Sequence, residues 1–246
     1  MRIATTIHYI RQMHTTRIKS EEFKDWNEKM LKKYDPDSFH HHHNIFVRYI
    51  ERKRVNSIYK LMNICSADYL IEIGCGAGNV IEKAPNGKLF GTDISASILL
   101  KAKEKLNERA YLFQADAQHL PCKDQAFMKV ICSEVLEHLL DPSAALREIA
   151  RILKYRGVAI ISIPNESMIN RIKSILLRLG IFRWLLQEKG NYRKMPERME
   201  DEWHLHTFPL EKWLDLFKES FMVTRLSKIP FRFLPLRYIV RLERIK

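Results

Sequence analysis

Glycine and proline are scarce in this chain, eight and nine among 246 residues, which argues against long disordered linkers. No run of 18 apolar residues occurs, and the opening MRIATTIHYIRQMH lacks the continuous apolar stretch of a secretory signal. Cysteine is limited to Cys65, Cys75, Cys122 and Cys132, with neither C-x-x-C pairs nor the spacing of a disulfide framework. The expectation is a cytoplasmic chain whose thiols stay free in a reducing compartment.

What is present is enough apolar residue, 46%, to bury a real core in one large α/β domain or one domain with appendages. The net charge of +13 is unevenly spread: +6 over residues 1–64, zero over 65–164 and +7 over 165–246. A neutral centre between basic ends suggests that any charged partner meets the ends.

The texture changes at the same boundaries. EEFKDWNEKMLKKY and IFVRYIERKRVNSIYKLMN mix polar and apolar residues at helical spacing, giving a helical cap over 1–64. From residue 69, short apolar runs follow: YLIEI (69–73), KLFGT (88–92), AYLF (110–113), MKVICS (128–133) and VAIISI (158–163). Segments long enough for helices separate them, so residues 65–164 predict a Rossmann-like unit on a parallel, right-handed wound sheet. Residues 165–208 read as a lid or insert, and 209–246 as a helix and the last strands. There is no internal repeat, and HHHH at 40–43 is the sole low-complexity tract.

The stretch LIEIGCGAG (70–78) sets an acid inside an apolar strand and follows it with a nearly bare turn. In such sheets ligands sit beyond the carboxyl ends of the strands, and Gly74, Gly76 and Gly78 let the first turn lie close to one. Glu72 at the strand end calls for a cationic or hydrogen-donating partner, because an unpartnered buried carboxylate is costly. The pattern is E-x-G-x-G-x-G. The third glycine of the dinucleotide fingerprint is replaced here by Asn79. Asp93 closes the second strand in GTDIS, 19 residues after Gly74, where a carboxylate can accept both hydroxyls of a ribose. Asp116 in FQADAQHLP follows the third strand. Helix capping or solvated loop ends are the plainer reading of these acids, but both directly follow apolar runs on one predicted edge.

With LIEIGCGAGN, GTDIS, QADAQHLPCKDQAFMKVICSEVLEHLLDP and LKYRGVAIISIPN in this order, the chain resembles the class I S-adenosylmethionine-dependent methyltransferases, specifically the type 11 group that includes the ubiquinone and menaquinone methylases. The resemblance is strong over about 60–165 and loose elsewhere. It implies a Rossmann-like seven-stranded sheet, mostly parallel with an antiparallel last strand, plus N-terminal helices and a helical lid after strand five. It implies S-adenosylmethionine as cofactor and S-adenosylhomocysteine as product. Residues Gly74 to Gly78, with Cys75, would lie under the methionine part. Asp93 would hold the ribose and Ile94 the adenine face, Asp116 and Ala117 the adenine amino edge, and Ser133 the methionine side. Cys75 otherwise reads as a small filler, since no base lies near it in sequence.

A sulfonium methyl is already activated, so the enzyme owes it in-line positioning, exclusion of water and a deprotonated acceptor. Glu134, Glu137 and His138 in SEVLEHLLDP stand at i, i+3 and i+4, one face of a helical turn. His138 is the candidate general base; the three together could instead bind a divalent cation, or His138 could pack beneath the substrate. The E-x-x-E-H pattern is similar to that of the ubiquinone-pathway O-methyltransferases, where a metal role is associated with this position.

SMINRIKSILLRLG sets Met168, Ile169, Ile172, Ile175, Leu176 and Leu179 in one helical arc, with Arg171, Ser174 and Arg178 opposite and Gly180 as the stop. Residues 165–198 carry 8 basic and 3 acidic side chains, and the tail SKIPFRFLPLRYIVRLERIK repeats the mix. Three readings stand: a lid covering the site, a lid that also touches an anionic membrane surface peripherally, and a surface for a partner protein. In WHLHTFPLEKW, similar to the family's segment after the lid, His204 or His206 would face the substrate ahead of a helix begun at Pro209. HHHH at 40–43 reads as a metal site, a helix start or a cap over the cofactor.

Three functions compete: methyl transfer to a small lipophilic acceptor, most simply at oxygen; methylation of RNA or DNA, prompted by the basic ends; and a catalytically silent cofactor-binding protein. Cys132-Ser133-Glu134-Val135 is not the N/D-P-P-Y of base-amino methylation, and no nucleic-acid-binding module appears. The intact glycines and acids argue against the third.

Overall fold

The computed structural model describes residues 18–34, 37, 40, 42, 44–85, 87–180 and 203–245. Two helices lead, α1 (Ser20–Tyr34) and α2 (Ile45–Met62), followed by β1 (Tyr69–Ile73), β2 (Lys88–Asp93), α3 (Ala96–Leu106), β3 (Ala110–Gln114) and β4 (Phe127–Ser133). Then come α4 (Pro142–Ile152), β5 (Leu153–Pro164), α5 (Glu166–Arg178), α6 (Leu210–Lys218), β6 (Phe221–Pro230) and β7 (Pro235–Arg244). Their order in a single sheet is β3-β2-β1-β4-β5-β7-β6. Strands β1 to β5 pair parallel, and β7 runs antiparallel to both neighbours, the seven-stranded mixed sheet expected of a methyltransferase.

Both faces of the sheet are covered, which is why its inner strands read as unbroken apolar runs. Alternate residues serve opposite layers: Val130 and Cys132 pack with Leu146, Ile149, Trp213 and Phe217 on one face. Ile131 and Ile160 pack with Val55, Ile58, Met62 and Ala102 on the other. Burying one such Ile or Leu contributes about 1.5–3 kcal/mol. Helix α2 is thus part of the layer that covers the sheet. Its end fixes its direction: Lys129 at the start of β4 donates to the Met62 carbonyl at 3.1 Å, so α2 begins over the carboxyl edge of the strands.

Helix ends are marked locally. Ser95 accepts from the Ile98 amide at the start of α3, and Asp141 with Pro142 opens α4. Gly180, at φ +68°, follows α5 in the left-handed conformation that ends helices. Strand β5 is longer than its apolar run predicts. It begins at Leu153, and a register shift between Phe127 and Lys129 lets exposed residues 154–156 bulge before pairing resumes at Val158. No helix among the described residues is long and apolar enough to cross a membrane.

Candidate active site

Beyond the carboxyl ends of β1, β2 and β4 lies a cavity of about 370 Å³. The turn after β1 forms its floor. Gly74, Gly76 and Gly78 have φ of +68°, +52° and +80°, conformations costly for any residue with a Cβ. A Cβ on Gly74 would meet Val135 Cγ2 at 2.3 Å, whereas one on Gly76 would find nothing nearer than Ile98 Cδ1 at 3.8 Å. Gly74 is therefore bare for packing, and Gly76 leaves space for a ligand. Gly78 does not line the cavity; it sits against Leu106 instead.

Glu72, Gly74, Cys75, Gly76, Asp93 and Ile94 all border this space, as do Asp116, Ala117 and Ser133. Glu72, only 1% exposed, accepts from the Ile81 amide at 2.9 Å. Burial pushes its carboxyl up to about 8, with the Ile81 amide and Arg54 pulling the other way. Asp93 receives the Gly76 and Ser95 amides, each at 3.0 Å, and burial raises its carboxyl above the ordinary value despite them. Asp116 accepts from the Gln118 amide at 2.9 Å. Burial pushes the Cys75 thiol well above its ordinary value, which suits a filler and not a nucleophile.

The N-terminal segment supplies a cation that the motifs did not reveal. Arg54 of α2, 5% exposed, reaches across to the Ser133 hydroxyl and is held by Glu51 at 2.7 Å. Burial disfavours the ionised Glu51, but Arg54 and Arg237 outweigh it and hold the carboxyl below its usual value. From the histidine run, His40 and His42 border the cavity; His41 and His43 lie outside the described residues. Burial and the Arg54 charge pull His40 down to about 4. Asp37 accepts from Asn79 beside the glycine turn at 2.6 Å, so this segment caps the floor.

The other half of the cavity gathers residues from distant segments. Glu134, at φ +58°, leaves the helical pattern, and residues 136–138 form a single 3-10 turn. The expected grouping of Glu134, Glu137 and His138 on one helical face is accordingly not what forms. Glu134 turns to Arg237 at 2.5 Å and accepts from Ser162 at 2.8 Å. His204 takes its place: Glu137, His138 and His204 bring one donor atom each within 4.8 Å of one another. Glu137 is 1% exposed, and neither of its oxygens has a hydrogen-bond partner among the described residues. Burial, with Glu134 nearby, pushes it well above the ordinary carboxylate value.

Each of the two imidazoles is held by a contact through Nδ1. His138 Nδ1 lies 3.2 Å from the Trp203 carbonyl, which can only accept, so Nδ1 carries the proton and Nε2 keeps its lone pair. His204 Nδ1 lies 2.6 Å from Glu166 Oε1, both side chains buried. Burial, then His204, pushes His138 well below its usual value, and burial lowers His204 to about 4. Their rings meet edge to face at 4.7 Å. His206 points elsewhere and donates from Nε2 to the Leu139 carbonyl at 2.8 Å. The Leu205 and His206 amides both donate to the Glu137 carbonyl, at 2.8 and 3.1 Å, which pins this segment over the 3-10 turn.

Helix α5 forms where the sequence placed it but is turned differently from a simple apolar lid. Its buried residues are Glu166 and Lys173, while Ile175 and Leu179 of the apolar arc are 49% and 64% exposed. Of that arc, Ile169 borders the cavity. The basic insert beyond residue 180 lies outside the described residues up to Trp203. Glu166 was findable by the rule that singled out Asp93 and Asp116, an acid directly after an apolar strand. Lys173 and Arg237 carried no local signal.

The chain is similar in sequence to an uncharacterized protein of Methanocaldococcus jannaschii, 29% identical over 179 residues that cover 72% of this chain and 61% of that one. It is also similar to a ubiquinone biosynthesis O-methyltransferase of Rhodopseudomonas palustris, 27% identical with 66% of each chain covered. The chain thus spans less than two thirds of these relatives. In fold it resembles magnesium protoporphyrin IX methyltransferase from Synechocystis with bound S-adenosylhomocysteine, at TM-score 0.56 and 17% identity, over 82% of this chain and 88% of that one. A family model described as a methyltransferase domain matches residues 71–161, the span that holds the glycine turn, Asp93, Asp116 and His138. Residues 71–161 therefore match a methyltransferase domain.

Proposed function

We propose that the whole chain transfers a methyl group from S-adenosylmethionine to a small lipophilic acceptor, at oxygen. The observation that carries this reading is the division of one cavity into a half with committed polar groups and a half whose Glu137, His138 and His204 are buried beside apolar walls. When bound, the cofactor supplies a sulfonium-activated methyl group. The residues present fit it: the Asp93 carboxylate retains acceptor capacity for a ribose diol, and Ile94 and Ala117 offer apolar walls for a base. Glu72 suits an ammonium, and Arg54 suits a carboxylate, for which its bond to Ser133 would yield.

Catalysis then asks the chain for position, dryness and one proton acceptor. His138, neutral and with Nε2 unprotonated, is the general base for an acceptor hydroxyl. Glu166 bonds His204 Nδ1 beside it and orients that ring edge to face against His138. The Glu137–His138–His204 group also supports a second reading, in which a divalent cation held there would lower the pKa of a bound hydroxyl. The quinone methyltransferase among the relatives supports an oxygen acceptor with an apolar body.

The test is transfer of labelled methyl from S-adenosylmethionine to a prenylated catechol, against the same compound with its hydroxyls blocked and against RNA. Label in the catechol alone, surviving a chelator, supports the base reading; loss with chelator supports the cation. Label in RNA alone overturns the proposal.

A further inference from the structure

Two segments far apart in sequence meet at the rim of the cavity. The tip of the β6–β7 hairpin lies at the carboxyl edge of the sheet, because Pro164 at the end of β5 pairs with Arg237. Helix α2 begins over the same edge, since its far end lies by the start of β4. Their aromatic rings form one chain: Phe46 to Tyr49 at 6.5 Å, Tyr49 to Phe231 at 6.4 Å and Phe231 to Phe233 at 5.4 Å. This chain faces outward. Phe233 is 81% exposed, Ile45 72% and Phe46 46%.

Charge accompanies the rings. Residues 45–54 and 225–241 contain nine Lys or Arg and one acid, Glu51, which is buried against Arg54. The outer face of both segments therefore offers cations with no acid of their own to offset them. Lys53 sits 5.4 Å from the Tyr49 ring and 5.2 Å from that of Phe231, while Arg52, Lys228 and Arg232 are exposed. Directly inside this rim, Val47, Ile50 and Leu236 line the cavity.

Large apolar side chains held in water next to a cavity mouth mark an interaction surface. Rings interleaved with cations, and no exposed acid in either of these two segments, match a bilayer interface: the rings enter the headgroup region and the cations meet lipid phosphates. We propose that this rim docks on an anionic bilayer, with Phe233, Phe46 and Ile45 inserted, Arg52, Lys53 and Arg232 on the headgroups, and the cavity mouth turned toward the lipid. The inference rests on the reading of the acceptor as lipophilic, and supplies its route: the acceptor passes from the bilayer into the cavity without crossing water.

Flotation of the full chain with vesicles of phosphatidylcholine alone, and with vesicles that also contain phosphatidylglycerol, tests this. The expected result is flotation with the anionic vesicles, weakened by rising salt. Phe233→Ser should lower partitioning at least about tenfold and Arg232→Ala about fivefold. Both sites are exposed, and unchanged S-adenosylhomocysteine affinity reports an intact fold; Ile45→Ser provides a third variant should either fail that control. Absence of flotation, or equal flotation of the wild type and the intact variants, overturns the proposal. Cofactor binding without flotation sinks this surface alone, whereas flotation without cofactor binding sinks the methyltransferase reading and leaves the surface standing.

Discussion

Asp93, half-buried, and Glu137, buried, are carboxyls bordering the same cavity, yet their surroundings are opposite. Asp93 receives two backbone amides from the turns that follow β1 and β2, while the Glu137 oxygens receive nothing among the described residues. The proposed cofactor half is built at the strand ends and closed by Arg54 and Asp37 of the N-terminal segment. The acceptor half is assembled from the 3-10 turn after β4, the start of α5 and the 203–208 segment, and holds polar groups in reserve for a substrate.

The sharpest way to separate the halves is to remove an imidazole. His138→Ala should lower methyl transfer about 100- to 10,000-fold while S-adenosylhomocysteine binds within about twofold of wild type. Labelled transfer and isothermal titration on the same preparation check it; retained turnover would mean the ring only packs. His204→Ala should follow the same pattern, and Glu166→Gln should weaken transfer less, because an amide still accepts from Nδ1–H.

The converse breaks the other half. Gly74→Ala should cost about 2–4 kcal/mol of stability, since the new methyl would collide with Val135 and the backbone stays left-handed. Gly76→Ala, with open space at its Cβ, should fold more nearly normally and lose cofactor affinity instead. Thermal melts with and without S-adenosylhomocysteine distinguish the two, and equal melting losses would remove the contrast. Next in size, Asp93→Ala should weaken S-adenosylhomocysteine binding at least about tenfold, as loss of charged hydrogen bonds does; unchanged affinity takes Asp93 out of the site.

The smallest effect is a pH slope. With its carboxyl raised from 4.5 to about 8, Glu72 stays protonated in the free folded chain while the unfolded chain has already ionised. This group's contribution to stability therefore falls as pH rises between those values, the sign expected when the folded state holds the extra proton. An ammonium bound by the carboxylate reverses the preference, so S-adenosylhomocysteine binding should release a proton and tighten as pH climbs toward about 8. Titrations in buffers of different ionisation enthalpy read that proton, and Glu72→Gln should flatten the profile.

Most of the cofactor half was legible because its signals are local. An apolar strand, a bare turn and an acid at the next strand end are near neighbours in sequence, and the parallel topology brings such ends to one edge. Strands β1 to β4 and the two cap helices formed close to their predicted bounds, while β5 starts five residues before its apolar run. The acceptor half was misread where helical spacing was assumed: Glu134 leaves the helix at φ +58° and pairs with Arg237, and His204 stands beside His138 in its stead. Helix α5 shows the same limit. Its periodicity is visible, but the inward turn of Glu166 goes with its bond to His204, 38 residues away, which no spacing reveals.

By itself, then, the order of residues determined the alternation of strands and helices, the sheet's carboxyl edge as the edge where the cavity lies, and most of the acids and glycines that border it. These follow from hydrophobic periodicity and backbone sterics, which act over a few residues. Only the tertiary structure decided that Arg54 reaches Ser133, that His204 and Glu166 stand beside His138, and that Phe46 and Phe233 share one exposed rim. Each joins groups dozens of residues apart, and such contacts exist only once a packed core holds the segments together.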